Sequence, residues 1–143
     1  FIAESGSGKS TLAAMMETLG YVAVADDLLP CRQQDGRIII PVWLEERVVF
    51  RDLALILFLS RDAHIRRVRL DSLSPKICLH LLLHNGFGEV GGSASWQAQF
   101  DVYGLLASRI PAYRLIIPDD LARSAATAKE LSFLLACEME TVD

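Results

Sequence analysis

Residues 3–11 read Ala-Glu-Ser-Gly-Ser-Gly-Lys-Ser-Thr, and no other stretch constrains what the chain can fold into as tightly. The pattern fits a phosphate-binding loop with alanine at the first small position. Its glycines let backbone N–H groups curl around a β-phosphate, Lys9 brings a point charge to the β and γ oxygens, and the Ser10 hydroxyl is placed to ligate Mg²⁺. Such a loop needs a strand before it and a helix after it. Leu12, Met15, Met16 and Leu19 follow at i, i+3, i+4 and i+7, the stripe of an amphipathic helix, and Gly20 stands where that helix should end. The helix N-terminus then faces the phosphate. Phe1-Ile2 read as the last residues of a β-strand whose beginning is cut away. A Gly/Ser linker that happens to contain Gly-Lys-Ser is the competing reading, but linkers are not followed at once by a capped, apolar-striped helix. Ser5, Gly6, Ser7, Gly8, Lys9, Ser10 and Thr11 are therefore the candidate nucleotide-binding residues, and the expected ligand is an NTP or NDP.

Tyr21-Val22-Ala23-Val24-Ala25 reads as a short buried strand that delivers Asp26 and Asp27 at its C-terminal end, where α/β sheets hold their ligands. The two acids arrive one helix and one strand after Lys9, so both carboxylates can stand at the mouth of the loop. Phosphoryl transfer from ATP sets two tasks for such a pair: holding Mg²⁺ together with the serine hydroxyl, and orienting or deprotonating the attacking hydroxyl. A solvated turn or a helix cap is the bland reading of the same pair, and its position beside the loop weighs against it.

Farther on, Asp35-Gly36 before the β-branched run Ile38-Ile39-Ile40 is a hairpin signal, so the chain should turn back antiparallel here and give a mixed sheet. Leu53 to Leu59 is apolar throughout and reads as a central strand. It ends on Ser60-Arg61-Asp62, and no Mg²⁺-directing role is assigned to that acid. Arg61, Arg66, Arg67 and Arg69 surround His64 in a basic segment, read as a solvated face in preference to a phosphate contact. Ser74-Pro75 should cap and begin a helix through Leu83. His80 and His84 on it have the i, i+4 separation of a metal pair, but no acid completes a site. Gly86 to Gly91 matches Gly-x-Gly-x-x-Gly by letter; because it follows a helix and not a strand, it reads as a loop. Ala94 to Arg109 should be a helix closed by Pro111, Tyr113 to Ile117 a strand, and Leu121 to Leu135 a last helix, with Asp119-Asp120 as its structural cap.

The 143 residues suit one domain, and a 52% hydrophobic content is enough to bury a core. No apolar run approaches the roughly 20 residues of a membrane span, so no membrane partner is expected. A net charge of −4 argues against a broad nucleic-acid footprint. Cys31, Cys78 and Cys137 are too few and too scattered for a disulfide framework or a zinc site, which makes a reducing cytoplasm the default.

Ser5 to Ser10, a helix ending in Gly20-Tyr21, and the step Ala25-Asp26-Asp27 together resemble the catalytic domain of the HPr serine kinase/phosphorylase family, whose core is similar to that of ATP-dependent phosphoenolpyruvate carboxykinase. Leu53 to Leu59 and Arg109-Ile110-Pro111-Ala112-Tyr113-Arg114-Leu115 look like the divergent HPr-kinase-like branch. The resemblance implies an α/β fold, a P-loop-containing mixed β-sheet with flanking helices, over residues 1–143 as a single kinase-like domain cut in its first strand. It implies ATP and Mg²⁺ as cofactors, Lys9 on the nucleotide phosphates, Ser10 and Asp27 serving the metal, and Asp26 as base toward a serine hydroxyl of a protein or peptide. Homo-oligomer formation is compatible with it. The family's Glu-Ile-Arg-Gly-hydrophobic-Gly signature is replaced by Trp43-Leu44-Glu45-Glu46-Arg47 and Val48-Val49-Phe50, which lack its glycines and point away from HPr as the acceptor. Three other readings stand beside this one. A gluconate- or shikimate-type metabolite kinase should have a helix where Asp35-Gly36 signals a hairpin. A transporter-type ATPase should have Leu-Ser-Gly-Gly-Gln where this chain has Gly91-Gly92-Ser93. A module that binds ATP without transferring it has no chemical need for a second carboxylate.

Overall fold

Ile56-Leu57-Phe58-Leu59 and Leu115-Ile116-Ile117 are apolar at every position, the pattern of strands covered on both faces. The computed structural model, which describes residues 1–2, 7–22, 31–35, 37–44, 47–85, 93–119 and 124–140, places both runs side by side. Among these residues the order is α1 (Lys9–Thr18), β1 (Arg32–Gln34), β2 (Arg37–Leu44), β3 (Arg47–Asp52), β4 (Ile56–Asp62), β5 (Arg69–Ser72), α2 (Pro75–Asn85), α3 (Ser93–Arg109), β6 (Ala112–Pro118) and α4 (Ser124–Glu140). The described residues form a mixed α/β fold with four helices and two sheets.

The first sheet has the order β4-β6-β5. β4 runs parallel to β6 from Ile56 opposite Ala112 to Asp62 opposite Pro118, while β5 is antiparallel to β6. Ile2 lies along the free side of β4: its N–H donates to the Leu57 carbonyl and its carbonyl accepts from Leu59 N–H, both at 2.8 Å. The chain entering the Gly-rich stretch therefore runs parallel to β4. Side chains alternate across the sheet. Leu57, Leu59, Leu115 and Ile117 pack with Leu12 and Met16 of α1 and with Ala128 and Leu131 of α4. Ile56, Phe58 and Ala112 pack on the other side with Cys78 and Leu82 of α2 and Leu106 and Ala107 of α3. Burial pushes the Cys78 thiol above its ordinary pKa, so it behaves as a small apolar group in this layer.

The second sheet is the antiparallel meander β1-β2-β3. Gln34 pairs with Arg37, leaving two residues for the turn, and Asp35 takes a φ of 50°, a left-handed conformation that Asp tolerates in hairpin turns. The expected hairpin is present. It lies in a separate sheet, however, and the main sheet owes its mixed character to β5. Ile38 is buried and joins the α2/α3 layer, which docks the meander there.

Local signals fix several ends. At the end of α1, Gly20 adopts a φ of 92°, and the N–H groups of Leu19 and Gly20 bond to Met16 and Glu17 carbonyls. Ser74 and Pro75 open α2 as expected, with Cys78 N–H donating to the Ser74 carbonyl. Three boundaries differ. β4 begins at Ile56, because Leu53 N–H is drawn to the Ile38 carbonyl and residues 53–55 bridge the two sheets; it continues through Ser60-Arg61-Asp62. Tyr21 and Val22 are exposed and outside any strand, and 23–30 fall outside the described residues. α4 runs from Ser124 to Glu140, beyond the expected end at Leu135. Residues 86–92, with the Gly-x-Gly-x-x-Gly letters, also lie outside the described residues. No helix among the described residues is long and apolar enough to cross a membrane.

The extended end of α4 is held to β6 by Tyr113, whose hydroxyl donates to Glu138 Oε2 at 2.8 Å. That hydrogen bond, then desolvation and the Glu138 charge, push the phenol above its ordinary value. Folding thus favours the protonated phenol; its contribution is complete below the unfolded tyrosine pKa of about 10 and is lost as pH rises through the higher folded value. Tyr113→Phe should therefore flatten the fall of melting temperature with pH above about 10. Identical alkaline slopes for variant and wild type would show that the bond does not couple to stability.

Candidate functional site

Gly8 is the N-cap of α1, in the left-handed conformation at φ 88° and ψ 17°, and its carbonyl accepts the Leu12 N–H at 2.9 Å. A residue with a side chain is strained in this conformation, which accounts for a glycine directly before Lys9. The turn leaves Lys9 half-buried as the first helical residue, followed by exposed Ser10 and Thr11. α1 has no acidic side chain in its first turn, so the positive end of its dipole is not offset from within the helix. The Ser7 Oγ is buried and has no hydrogen-bond partner among the described residues, a condition that costs about 1–3 kcal/mol for a buried polar group.

Arg61 completes this corner. It projects from the C-terminal end of β4, its Nε donates to the Ser7 carbonyl at 2.7 Å, and its Nη1 lies 3.3 Å from Asp119 Oδ1. A Cβ built on Gly8 would overlap the guanidinium, so a larger residue there would displace Arg61 in addition to straining the left-handed backbone. Asp119 directly follows β6. Because Asp62 pairs in parallel with Pro118, Arg61 and Asp119 emerge at the same edge of the sheet, the carboxyl edge where open α/β sheets take ligands.

No family model, no curated protein and no solved structure matches the chain.

Of the residues expected at the site, Ser7, Gly8, Lys9, Ser10 and Thr11 are brought together at the start of α1. Ser5, Gly6, Asp26 and Asp27 lie outside the described residues. One reading from sequence is corrected and one is extended. Arg61 does not belong to a solvated face: its side chain is 25% exposed and bound to Ser7. Asp119 does more than precede a helix, since it pairs with that arginine. The signal available for both was position at the ends of β4 and β6, hidden for Arg61 by placing the strand end too early.

The rest of the basic segment divides by partner. Asp62 Oδ1 accepts the His64 N–H at 2.8 Å, and Glu130 Oε2 accepts the Val68 N–H at 3.0 Å, so both ends of the β4–β5 connection are fastened. Arg69 pairs with Asp71 at 2.8 Å. Arg66 and Arg67 are exposed and form no ion pair among the described residues. His80 and His84 are exposed on α2, in the layer opposite α1.

Proposed function

We propose that the chain is an ATP-dependent phosphotransferase of the HPr-serine-kinase-like type, passing the γ-phosphate to a serine hydroxyl of a protein or peptide. The observation that carries this reading is the left-handed Gly8 turn that opens α1 with Lys9 as its first residue. Residues 5–11 form the phosphate cradle, and Lys9 meets the β and γ oxygens.

Asp26 accepts the proton of the serine hydroxyl as its oxygen bonds to the γ-phosphorus, and the bond to the bridging oxygen breaks to release ADP. The Ser10 hydroxyl, exposed in the first turn of α1, and the Asp27 carboxylate are hard oxygen donors of the kind Mg²⁺ takes. Bound there with the nucleotide, Mg²⁺ supplies neutralisation of charge developing on the transferred group.

The β1–β2 hairpin favours this reading over a gluconate- or shikimate-type kinase, which should be helical there. Incubation with γ-labelled ATP and serine-bearing peptides tests the transfer itself; ATP binding without transfer to any of them would instead favour the sensing module. Lys9→Ala should weaken ATP by about 2–3 kcal/mol, roughly 30- to 150-fold in Kd, as loss of a charge-assisted contact does. Calorimetry on the folded variant reads this directly, and an unchanged Kd would remove the phosphate-loop assignment.

A further inference from the structure

We propose that Arg61 is a positioning residue that sets the loop from behind, with Asp119 holding its guanidinium in place; the consequence for ATP rests on the nucleotide reading above. In a planar trans peptide the C=O and the N–H point in opposite directions. The Ser7 carbonyl is turned toward Arg61 Nε, so the Gly8 N–H of the same peptide is directed away from Arg61. In a phosphate-binding loop the inward N–H groups are the donors that a phosphate takes. Arg61 thus fixes one such donor without reaching the ligand. The absence of a Cβ at Gly8 is what lets the guanidinium lie against the turn. Asp119, 3.3 Å from Nη1 and half-exposed, fastens the other side of the guanidinium to the end of β6.

The sign of one substitution separates this role from simple charge. Asp119 is an anion at the edge expected to hold a polyanion, so through Coulomb interaction alone Asp119→Asn should tighten ATP. As the holder of Arg61, its loss should weaken ATP by about 2- to 5-fold, the worth of a solvent-exposed ion pair. Arg61→Ala should weaken ATP by about 10- to 100-fold, the loss of a charge-assisted hydrogen bond that orders the donor. Arg61→Lys, which keeps the charge but not the rigid fork, should recover only a minor part.

The experiment combines ATP calorimetry on these variants with amide hydrogen exchange of residues 7–10 in the nucleotide-free protein, using thermal melting to confirm that each variant is folded. Faster exchange in Arg61→Ala and Asp119→Asn, with the weakened binding, is the expected result. Tighter ATP binding by Asp119→Asn, full recovery by Arg61→Lys, or unchanged exchange in both variants would overturn the positioning role. A wild type that binds no ATP would defeat the phosphotransferase reading, and the exchange arm would still decide the role of Arg61.

Discussion

Asp26→Asn should lower phosphate transfer by about 10²-fold or more, equivalent to about 2.7 kcal/mol of transition-state stabilisation, with nucleotide affinity nearly intact. Asparagine keeps the size and the hydrogen-bonding reach of the side chain and cannot take the serine proton. A loss in turnover without a loss in binding marks an interaction made only in the transition state. Asp27→Asn should raise the Mg²⁺ requirement and lower activity together if, as proposed, Asp27 gives the metal one carboxylate donor. Transfer to a serine-bearing acceptor by wild type and both variants across a Mg²⁺ titration separates the roles. Undiminished transfer by Asp26→Asn would exclude Asp26 as base, and exchanged phenotypes would reverse the two assignments. A sensing module shows no transfer in any of the three, with both substitutions acting only through Mg²⁺-nucleotide binding.

Leu115→Ala should cost about 2–5 kcal/mol, a large part of the 5–15 kcal/mol that holds a typical domain together. Leu115 is 0% exposed in β6, between β4 and β5, and packs in the layer formed with α1 and α4. The loss combines the transfer energy of the removed methyl groups with a cavity in a layer built from both helices and sheet. The melting temperature should fall by on the order of 10 °C. A fall of one or two degrees would mean that the layer closes over the gap and is less tightly packed than its burial indicates.

What was legible in the sequence was what neighbouring residues decide. Asp35-Gly36 encodes the two-residue turn through backbone conformations available to those residues, and the turn is present. Ser74-Pro75 and Gly20 mark helix ends in the same local way. Of the stripe Leu12, Met15, Met16 and Leu19, Leu12 and Met16 are buried and Met15 packs beside them, whereas Leu19, just past the end of α1, is exposed. Contacts distant along the chain were not legible. The Arg61 partner Ser7 is 54 residues away and its partner Asp119 is 58 away, so composition around Arg61 suggested only a charged surface segment. β4 starts later than its apolar run for a similar reason: Leu53 and Leu55 are as apolar as Leu57, and the bond from Leu53 to Ile38 in the other sheet takes that end of the run out of the strand.

The parallel pairing of β4 with β6 also bears on the order in which the molecule can assemble. Between these two strands the chain passes through β5, α2 and α3, so their register cannot close until a long intervening segment has been gathered in. Each doubling of such a closed loop adds about 0.6 kcal/mol of entropic cost, incurred before the pairing returns anything. The meander β1-β2-β3 closes through short turns and carries no such delay. On this ground the sheet edge that brings Arg61 to Ser7 and Asp119 should close after the meander, and slower refolding of the corner than of the hairpins is the expected result.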